Sequence, residues 1–256
     1  MGKECRWREA VPLIRLHILV EGQTEEDFVN GILAPDLGNY GVFADAHRIT
    51  TGRRHGQIFR GGLTNYDHLA RDLVLWMKQD GNKESWFTTM VDFYALPDNF
   101  PGRKTIPTTA NAFEKVAHLE NEFREDIAKR MDGLPVSRRF VPYIQIHEFE
   151  SLLFSDTACF EEAFPDSASA IAQLSEVRTE FPTPEHINDS LLTAPSKRIL
   201  HIFPDYQKAV AGILIAQRIG LTRIRSECQH FNDWLDRLVA SAADVKSPDQ
   251  AGPRHA

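Results

Sequence analysis

The sequence predicts an α/β protein with a mainly parallel four-stranded sheet flanked by helices, followed by a helical C-terminal part. In the first 155 residues, apolar β-branched segments alternate with segments of helical periodicity, and this alternation favours parallel strands joined by crossover helices. From residue 156 onward the pattern is helical, interrupted at proline-containing turns. The 256 residues are 42% hydrophobic and 25% charged, which suits a globular protein that can bury a core without disulfides.

Each element follows from its local pattern. Strands are predicted at 14–20, 42–50, 86–92 and 140–147, and helices at 25–33, 65–78 and 111–131. Thr24 is the expected cap of the first helix, because its hydroxyl can accept a free backbone N–H. Gly52 to Gly62 is basic and glycine-rich, and we expect a loop there. The predicted organisation is an α/β domain (1–155), a helical region (156–246) and a disordered tail (247–256).

Composition excludes several classes of protein. Cys5, Cys159 and Cys228 form no Cys-x-x-Cys pair, which excludes a cysteine zinc ribbon and fits a reducing cytoplasm. No uncharged run approaches the ~20 residues of a membrane span, so we expect a cytoplasmic protein without a membrane partner. P-loop and serine-hydrolase motifs are absent from the sequence. The net charge of −7 argues against indiscriminate duplex binding, yet it allows a local basic groove or an acidic metal site.

Acidic residues follow three of the predicted strands. Glu21 follows the first strand, Asp92 ends the third, and Glu148 follows the fourth. The carboxyl ends of parallel strands share one edge, where open α/β sheets bind ligands, so we expect these carboxylates to converge. Converging carboxylates repel each other, and Mg²⁺, which prefers oxygen ligands, relieves that repulsion. Glu25 and Glu150 are further candidates; taken singly, each acid has the alternative of a solvated strand end or helix cap.

Basic residues supply candidate phosphate ligands. Arg53, Arg54 and Arg60, with His55 and the amides of the Gly61–Gly62 pair, could bind phosphates, although a solvated turn is equally open. Lys197, Arg198 and Lys208 lie near predicted helix starts. One of these cations could neutralise a pentacovalent phosphate.

Three other residues have both a functional and a structural interpretation. His147 could be a general base or a packed, hydrogen-bonded side chain. Gly22 could keep the backbone close to a metal or phosphate, or merely turn the chain. Tyr206 is expected in the core rather than as a nucleophile.

Three motifs in order resemble a Toprim domain: EGQTEEDF after the first strand, MVDFY at the end of the third, and IHEFESLLFSD after the fourth. The resemblance is closest to an uncharacterised Toprim-like family of small bacterial proteins often encoded beside an AAA-type ATPase. PSKRI, FPDYQKAVAG and IRSECQHFNDWLDRL also resemble that family, so the resemblance covers nearly the whole chain. EGQTE alone is weak evidence, whereas the ordered set with HEFE is fairly specific.

The resemblance implies a Mg²⁺ or Mn²⁺ site for phosphodiester chemistry. It makes Glu21 and Asp92 metal ligands, and Glu25 matches the second glutamate of the EGxxE form of the motif, which is seen in overcoming-lysogenisation-defect nucleases. Glu148 or Glu150 takes the late acidic position.

The sequence departs from the Toprim pattern at one position. The family's Asp-x-Asp motif has Tyr94 in place of its second aspartate, and Tyr94 cannot bind Mg²⁺ as a carboxylate does. Either only one metal binds, or the second is held by Glu25, Glu148 or Glu150; Asp98 is a weak substitute.

Two functions are open at this point. The first is a metal-dependent nuclease acting on DNA or RNA, including tRNA, as the effector of an antiphage system with an AAA-type ATPase partner. The second is an inactive Toprim-like adaptor that binds the ATPase. A homo-oligomer is left open. The chain is too short for a topoisomerase gate, and it has no primase zinc module.

Overall fold

The computed structural model describes residues 13–54, 57–60, 63–188 and 193–244, with side chains for all of these except 51–54, 57–60 and 242–244. Its strands are β1 (Ile14–Val20), β2 (Val42–Arg48), β3 (Thr50–Arg54), β4 (Gln57–Arg60), β5 (Ser85–Asp92), β6 (Phe140–Val141) and β7 (Ile144–Gln145). The main sheet has the order β2-β1-β5-β6, with β7 also on β5, and each of these pairings is parallel. The predicted fold class is confirmed.

The helices are α1 (Gln23–Phe28), α2 (Ala34–Gly38), α3 (Tyr66–Gln79), α4 (Ala112–Arg130), α5 (Ala168–Thr179), α6 (Pro195–Ile202), α7 (Ile213–Ile219), α8 (Leu221–Glu227) and α9 (Gln229–Asp244). A π-helical turn, Val29–Leu33, joins α1 to α2, and a second, Lys208–Gly212, precedes α7. The caps of α3 and α4 explain why their ends match the prediction within one residue. Asn65 accepts the N–H of Asp67, and Asn111 with Glu114 forms a capping box. None of the described helices is long and apolar enough to cross a membrane.

Helices cover both faces of the sheet. Alternate side chains of β1 point to opposite sides, and the apolar ones on each side pack against a different set of helices. Ile14, Leu16, Ile18 and Val20 belong to a hydrophobic cluster with α1, α2 and the helices after residue 155. Leu19 belongs to a second cluster with α3 and α4. The domain boundary at residue 155 stays a prediction, but the segments on its two sides share one cluster. The tail from 247 and Cys5 lie outside the described residues.

Three local predictions are wrong. Thr24 does not cap α1: the helix begins at Gln23, and the Gly22 carbonyl already accepts the N–H of Glu26 at 3.2 Å. The predicted loop after residue 52 contains an antiparallel hairpin, β3–β4. The predicted strand 140–147 is divided into β6 and β7 at Pro142, which has no N–H for the ladder. The next N–H, of Tyr143, is donated to Thr89 Oγ1 instead.

Candidate active site at the carboxyl edge of the sheet

The two central strands bring Glu21 and Asp92 together. β1 and β5 are parallel neighbours with Val20 opposite Met90, so Glu21, directly after β1, and Asp92, at the end of β5, lie at one edge. From β1 the chain passes to β2 on one side and later to β5 on the other. Glu21 and Asp92 therefore flank the point where strand order reverses, which is where open α/β sheets bind ligands.

Two further acids reach this edge from local turns. Glu25 lies one helical turn after Glu21, in α1. A side chain at Gly22 would place its Cβ 3.0 Å from Glu25 Oε2, so glycine leaves room for that carboxylate. Glu150 lies in the 3-10 helix Phe149–Ser155. The chain turns into that helix at His147, whose φ of 63° is uncommon for a residue other than glycine.

Lys208, the first residue of the second π-helical turn, lies among these acids. Its Nζ is 3.0 Å from Glu25 Oε1, 3.1 Å from Asp92 Oδ2 and 3.4 Å from Glu150 Oε2. Those three carboxylates are nearly buried, with side-chain exposures of 4%, 10% and 5%, whereas Lys208 is 32% exposed. We call Glu21, Glu25, Asp92 and Glu150 the acid cluster; three of these carboxylates contact the ammonium, and its charge also acts on Glu21.

Two oxygens of the acid cluster have no hydrogen-bond partner among the described residues. Asp92 Oδ1 and Glu21 Oε2 are both buried. A buried carboxylate oxygen without a donor is costly, because it loses water and gains nothing in exchange. These two oxygens are therefore available to a cation.

Burial and mutual repulsion make the acid cluster harder to ionise. Burial, and then the charge of Glu25, raises the pKa of Glu21, although Lys208 and backbone hydrogen bonds from Asp92 and Leu63 oppose this shift. Burial raises the pKa of Asp92 well above its usual value; Lys208 opposes the shift, and the neighbouring acids add to it. The pKa of Glu150 is also raised by burial, against the opposing effect of Lys208. Such shifts are typical of functional sites.

Glu148 has a different role from Glu150. Glu148 Oε2 accepts the backbone N–H of Ser196 at 3.1 Å, in the first turn of α6. Its negative charge acts on the cluster by raising the pKa of Glu150. Of the two late acids that the sequence left open, Glu150 contacts Lys208 and Glu148 lies beside the cluster.

His147 and Tyr94 pack against each other. Their rings stack with centroids 5.4 Å apart, and the Tyr94 N–H donates to the His147 carbonyl. Burial lowers the pKa of His147 to about 4, against a hydrogen bond with the backbone of Glu185. These contacts fit the structural interpretation of His147. Asp98 is fully exposed and lies 3.7 Å from Arg103.

The predicted phosphate ligands are spread around the edge. The side chains of Arg53, Arg54 and Arg60 are outside the described residues, but Ile49 and Leu63, which flank the hairpin in the sequence, contact the end of β1. Ile49 donates its N–H to the Val20 carbonyl at 3.0 Å, and the backbone of Leu63 hydrogen-bonds Glu21. Lys197 is exposed in the first turn of α6. Arg198 donates to the Thr193 carbonyl and lies over the Phe181 ring.

The burial of Tyr206 was predicted from the sequence, but the surroundings of its hydroxyl were not. It is buried as expected, yet its hydroxyl has no hydrogen-bond partner among the described residues. Burial, and then the charge of Glu150, raises its pKa. The hydroxyl lies over Gly212, where an added Cβ would be 2.8 Å away. One sequence signal could have indicated this position: within seven residues the chain contains Tyr206, Lys208 and Gly212.

A metal is compatible with the donor set, although Lys208 now lies within it. In the part of the chain that the structure describes, no group of three or more acidic, histidine or cysteine side chains is already arranged around a metal position. The cluster nevertheless offers only oxygen donors, two of them unpartnered, which suits Mg²⁺ or Mn²⁺.

Fold and site together define an α/β protein with a carboxylate cluster at the switch point of a parallel sheet. Residues 20–239 match the family described as a domain of unknown function, DUF4276, and the chain belongs to that family. No curated protein and no solved structure matches it.

Proposed function

We propose that this protein is a Mg²⁺- or Mn²⁺-dependent nuclease that hydrolyses nucleic-acid phosphodiesters. The observation that carries the proposal is the convergence of four carboxylates at the switch point, where Glu21 Oε2 and Asp92 Oδ1 have no donor among the residues that the structure describes. Nucleases that use carboxylate-held metals need this kind of oxygen-rich site.

Glu21 and Asp92 would hold the metal, with Glu25 and Glu150 completing the set. A bound divalent metal supplies a water of lowered pKa and stabilises negative charge on the phosphate. Lys208 brings a cation to the same place, where it can neutralise a phosphate oxygen in the transition state. Tyr206 stays protonated, because its pKa is raised, and can donate a hydrogen bond.

The β3–β4 hairpin supports nucleic acid as the substrate. Residues 50–62 contain three arginines and no acid, in a chain whose net charge is −7. The residues that flank this segment contact the end of β1, Ile49 at Val20 and Leu63 at Glu21, so a nucleic-acid backbone held by the hairpin would pass the acid cluster. Phosphate contacts from arginines position nucleic acids without reading their sequence, which leaves DNA and RNA, including tRNA, as substrates to test.

The resemblance to Toprim-like proteins encoded beside ATPases extends the proposal to a biological role. In that role the protein is a cytoplasmic antiphage effector that an AAA-type ATPase activates. Its acidic net charge supports silence at rest, because unassisted binding to a phosphate backbone depends on cationic contacts.

One observation favours the second candidate, an inactive adaptor that binds the ATPase. Lys208 already neutralises part of the charge of Glu25, Asp92 and Glu150. In an adaptor that no longer binds a metal, these ion pairs with Lys208 would stabilise the buried acids.

The test separates these candidates. Wild type, Asp92→Ala and Asp98→Ala are incubated with plasmid DNA, single-stranded DNA and total tRNA, in Mg²⁺, Mn²⁺ or chelator, with and without the ATPase. We expect metal-dependent cleavage by wild type and by Asp98→Ala, whose altered side chain is fully exposed, and a loss of at least about 100-fold in Asp92→Ala. If wild type and Asp92→Ala behave alike in every lane, the adaptor is favoured.

A further inference from the structure

We propose that the Lys208 ammonium is the resting counter-ion of the acid cluster, and that a divalent metal binds there in competition with it. This inference deepens the proposed function and rests on it. It adds a regulatory step, because the metal must displace Lys208 from the cluster before the site is competent.

The position of Lys208 carries the argument for competition. Its Nζ contacts one oxygen from each of Glu25, Asp92 and Glu150 at 3.0–3.4 Å. Asp92 is the shared residue: Oδ2 accepts from Lys208, while the buried Oδ1 has no hydrogen-bond partner in the described part of the chain. A metal on Oδ1 would therefore lie across one carboxylate from the ammonium. Two cations at that separation repel strongly in a poorly hydrated site.

Lys208 can leave the cluster, whereas the acids cannot. The lysine side chain is 32% exposed and has a flexible four-carbon stem, but the three acids that it contacts are at most 10% exposed. Its Nζ also lies 5.5 Å from the centre of the buried Phe149 ring, a contact that adds to the three carboxylates in holding the ammonium at rest.

The backbone at Lys208 is suited to such a movement. Lys208 begins the second π-helical turn, Lys208–Gly212, and π-helical turns are often found at functional sites. Val210 in the same turn is 59% exposed, so solvent reaches this segment.

The displaced ammonium would then serve the reaction. Outside the cluster it lies between the carboxylates and solvent, on the path by which a phosphate would approach. The same lysine thus closes the site at rest and meets the substrate after a metal has entered. At low metal concentration the acid cluster remains paired with Lys208, and the nuclease is silent.

The test measures Mn²⁺ binding to the full-length chain by calorimetry, without any substrate. Lys208→Gln is compared with wild type and with Lys83→Gln, whose side chain is 82% exposed before β5, at the opposite end of that strand. We expect the Kd of Lys208→Gln to be at least about tenfold lower than that of wild type, because one repelling charge is gone. Lys83→Gln should bind as wild type does, and Lys208→Arg, which keeps a cation, should bind no more tightly than wild type.

Loss of Lys208 leaves buried carboxylates unpaired, so Lys208→Gln is also melted with and without Mn²⁺. The increase in Tm on addition of Mn²⁺ should be larger in Lys208→Gln than in wild type, even if the variant needs the metal to fold. If both proteins bind Mn²⁺ equally well, or if Lys208→Gln binds it more weakly, competition is disproved and the proposed function stands. If neither protein binds Mn²⁺ at millimolar concentration, this inference and the metal-dependent nuclease both fail.

Discussion

The protein contains two sets of buried carboxylates that differ in how completely their oxygens are bonded. Glu185 accepts the N–H groups of His230 and Phe231, both at 3.0 Å, at the start of α9. Glu120 Oε1 accepts the Ile144 N–H at 2.9 Å and lies 3.1 Å from His230 Nε2. We call Glu120 and Glu185 the structural pair. In the acid cluster, by contrast, one oxygen of Glu21 and one of Asp92 find no donor within the described ranges of the chain.

The same chemical group thus serves stability in one place and function in another. Each acid of the structural pair satisfies backbone donors that would otherwise be buried and unpaired. The open oxygens of the acid cluster destabilise the fold, and such conflicts are expected at functional sites. Removing a structural carboxylate should thus destabilise the protein strongly, whereas removing a functional one should change its stability little.

The largest effect on stability should come from Glu185→Ala. The substitution leaves the N–H groups of His230 and Phe231 without an acceptor in a site where Glu185 is fully buried. We expect the free energy of unfolding to fall by about 3 kcal/mol, measured by urea denaturation. Glu125→Ala, on the exposed face of α4, serves as the control. A loss below about 1 kcal/mol would mean that Glu185 is not structural.

Asp92→Asn should have a much smaller effect on stability. It removes repulsion with the other acids while giving up one contact with Lys208, so the two changes oppose each other. In metal-free buffer we expect the free energy of unfolding to stay within about 1 kcal/mol of wild type or to increase. Cleavage should nevertheless be lost. The comparison between the two sets breaks down if Asp92→Asn unfolds as readily as Glu185→Ala.

Divalent metal should stabilise the wild-type protein through the acid cluster alone. At a metal concentration 100 times Kd, binding adds about 2.7 kcal/mol, and Tm should rise by about 5–10 °C. Glu21→Gln should lose most of this rise, because it changes an unpartnered oxygen. Glu120→Gln should keep the rise, whatever its starting Tm. An equal rise in all three proteins would place the metal elsewhere.

The smallest effect concerns His17, a third arrangement in which carboxylates surround a histidine. His17 Nδ1 lies 3.0 Å from Asp45 and Nε2 lies 3.1 Å from Asp80. Burial lowers the pKa of His17, but hydrogen bonds and charges from Asp45 and Asp80 outweigh burial, and the pKa is raised. A raised histidine pKa stabilises the fold below the unfolded value of 6.5, and this contribution is lost as pH rises through the folded pKa.

Unfolding measured from pH 5.5 to pH 8.5 should therefore show a larger loss of stability in wild type than in His17→Gln. The difference should stay below about 1 kcal/mol, because these ion pairs are partly exposed. Identical pH profiles for the two proteins would show that His17 is not protonated preferentially in the folded state.

The sequence allowed the acid cluster to be predicted because strand ends are a local signal. Val20-Glu21 and Val91-Asp92 each join an apolar run to an acid, and parallel pairing then brings the two acids together. The position of Lys208 could not be derived in this way. It lies 116 residues from Asp92 along the chain, and nothing local indicates that its ammonium points into the cluster.

Other features were missed for related reasons. The hairpin β3–β4 contains glycines and few apolar residues, so its composition indicates a loop. The roles of Glu148 and Glu150 depend on the turn at His147, and a positive φ is too uncommon outside glycine to be predicted from one histidine in the sequence. Glu185 binds backbone groups 45 and 46 residues away, and such backbone contacts leave no trace in the sequence.

A crystal structure of the protein soaked in Mn²⁺, with anomalous scattering data, would show whether a metal binds the acid cluster in place of Lys208. The account predicts a manganese peak at the carboxyl edge, in contact with Glu21 and with Asp92 Oδ1, and the Lys208 ammonium moved away from Asp92 Oδ2. Mutation is not needed for this measurement, and the structural pair in the same crystal provides the control. A well-ordered acid cluster without a manganese peak, with Lys208 still among the three carboxylates, would contradict the account.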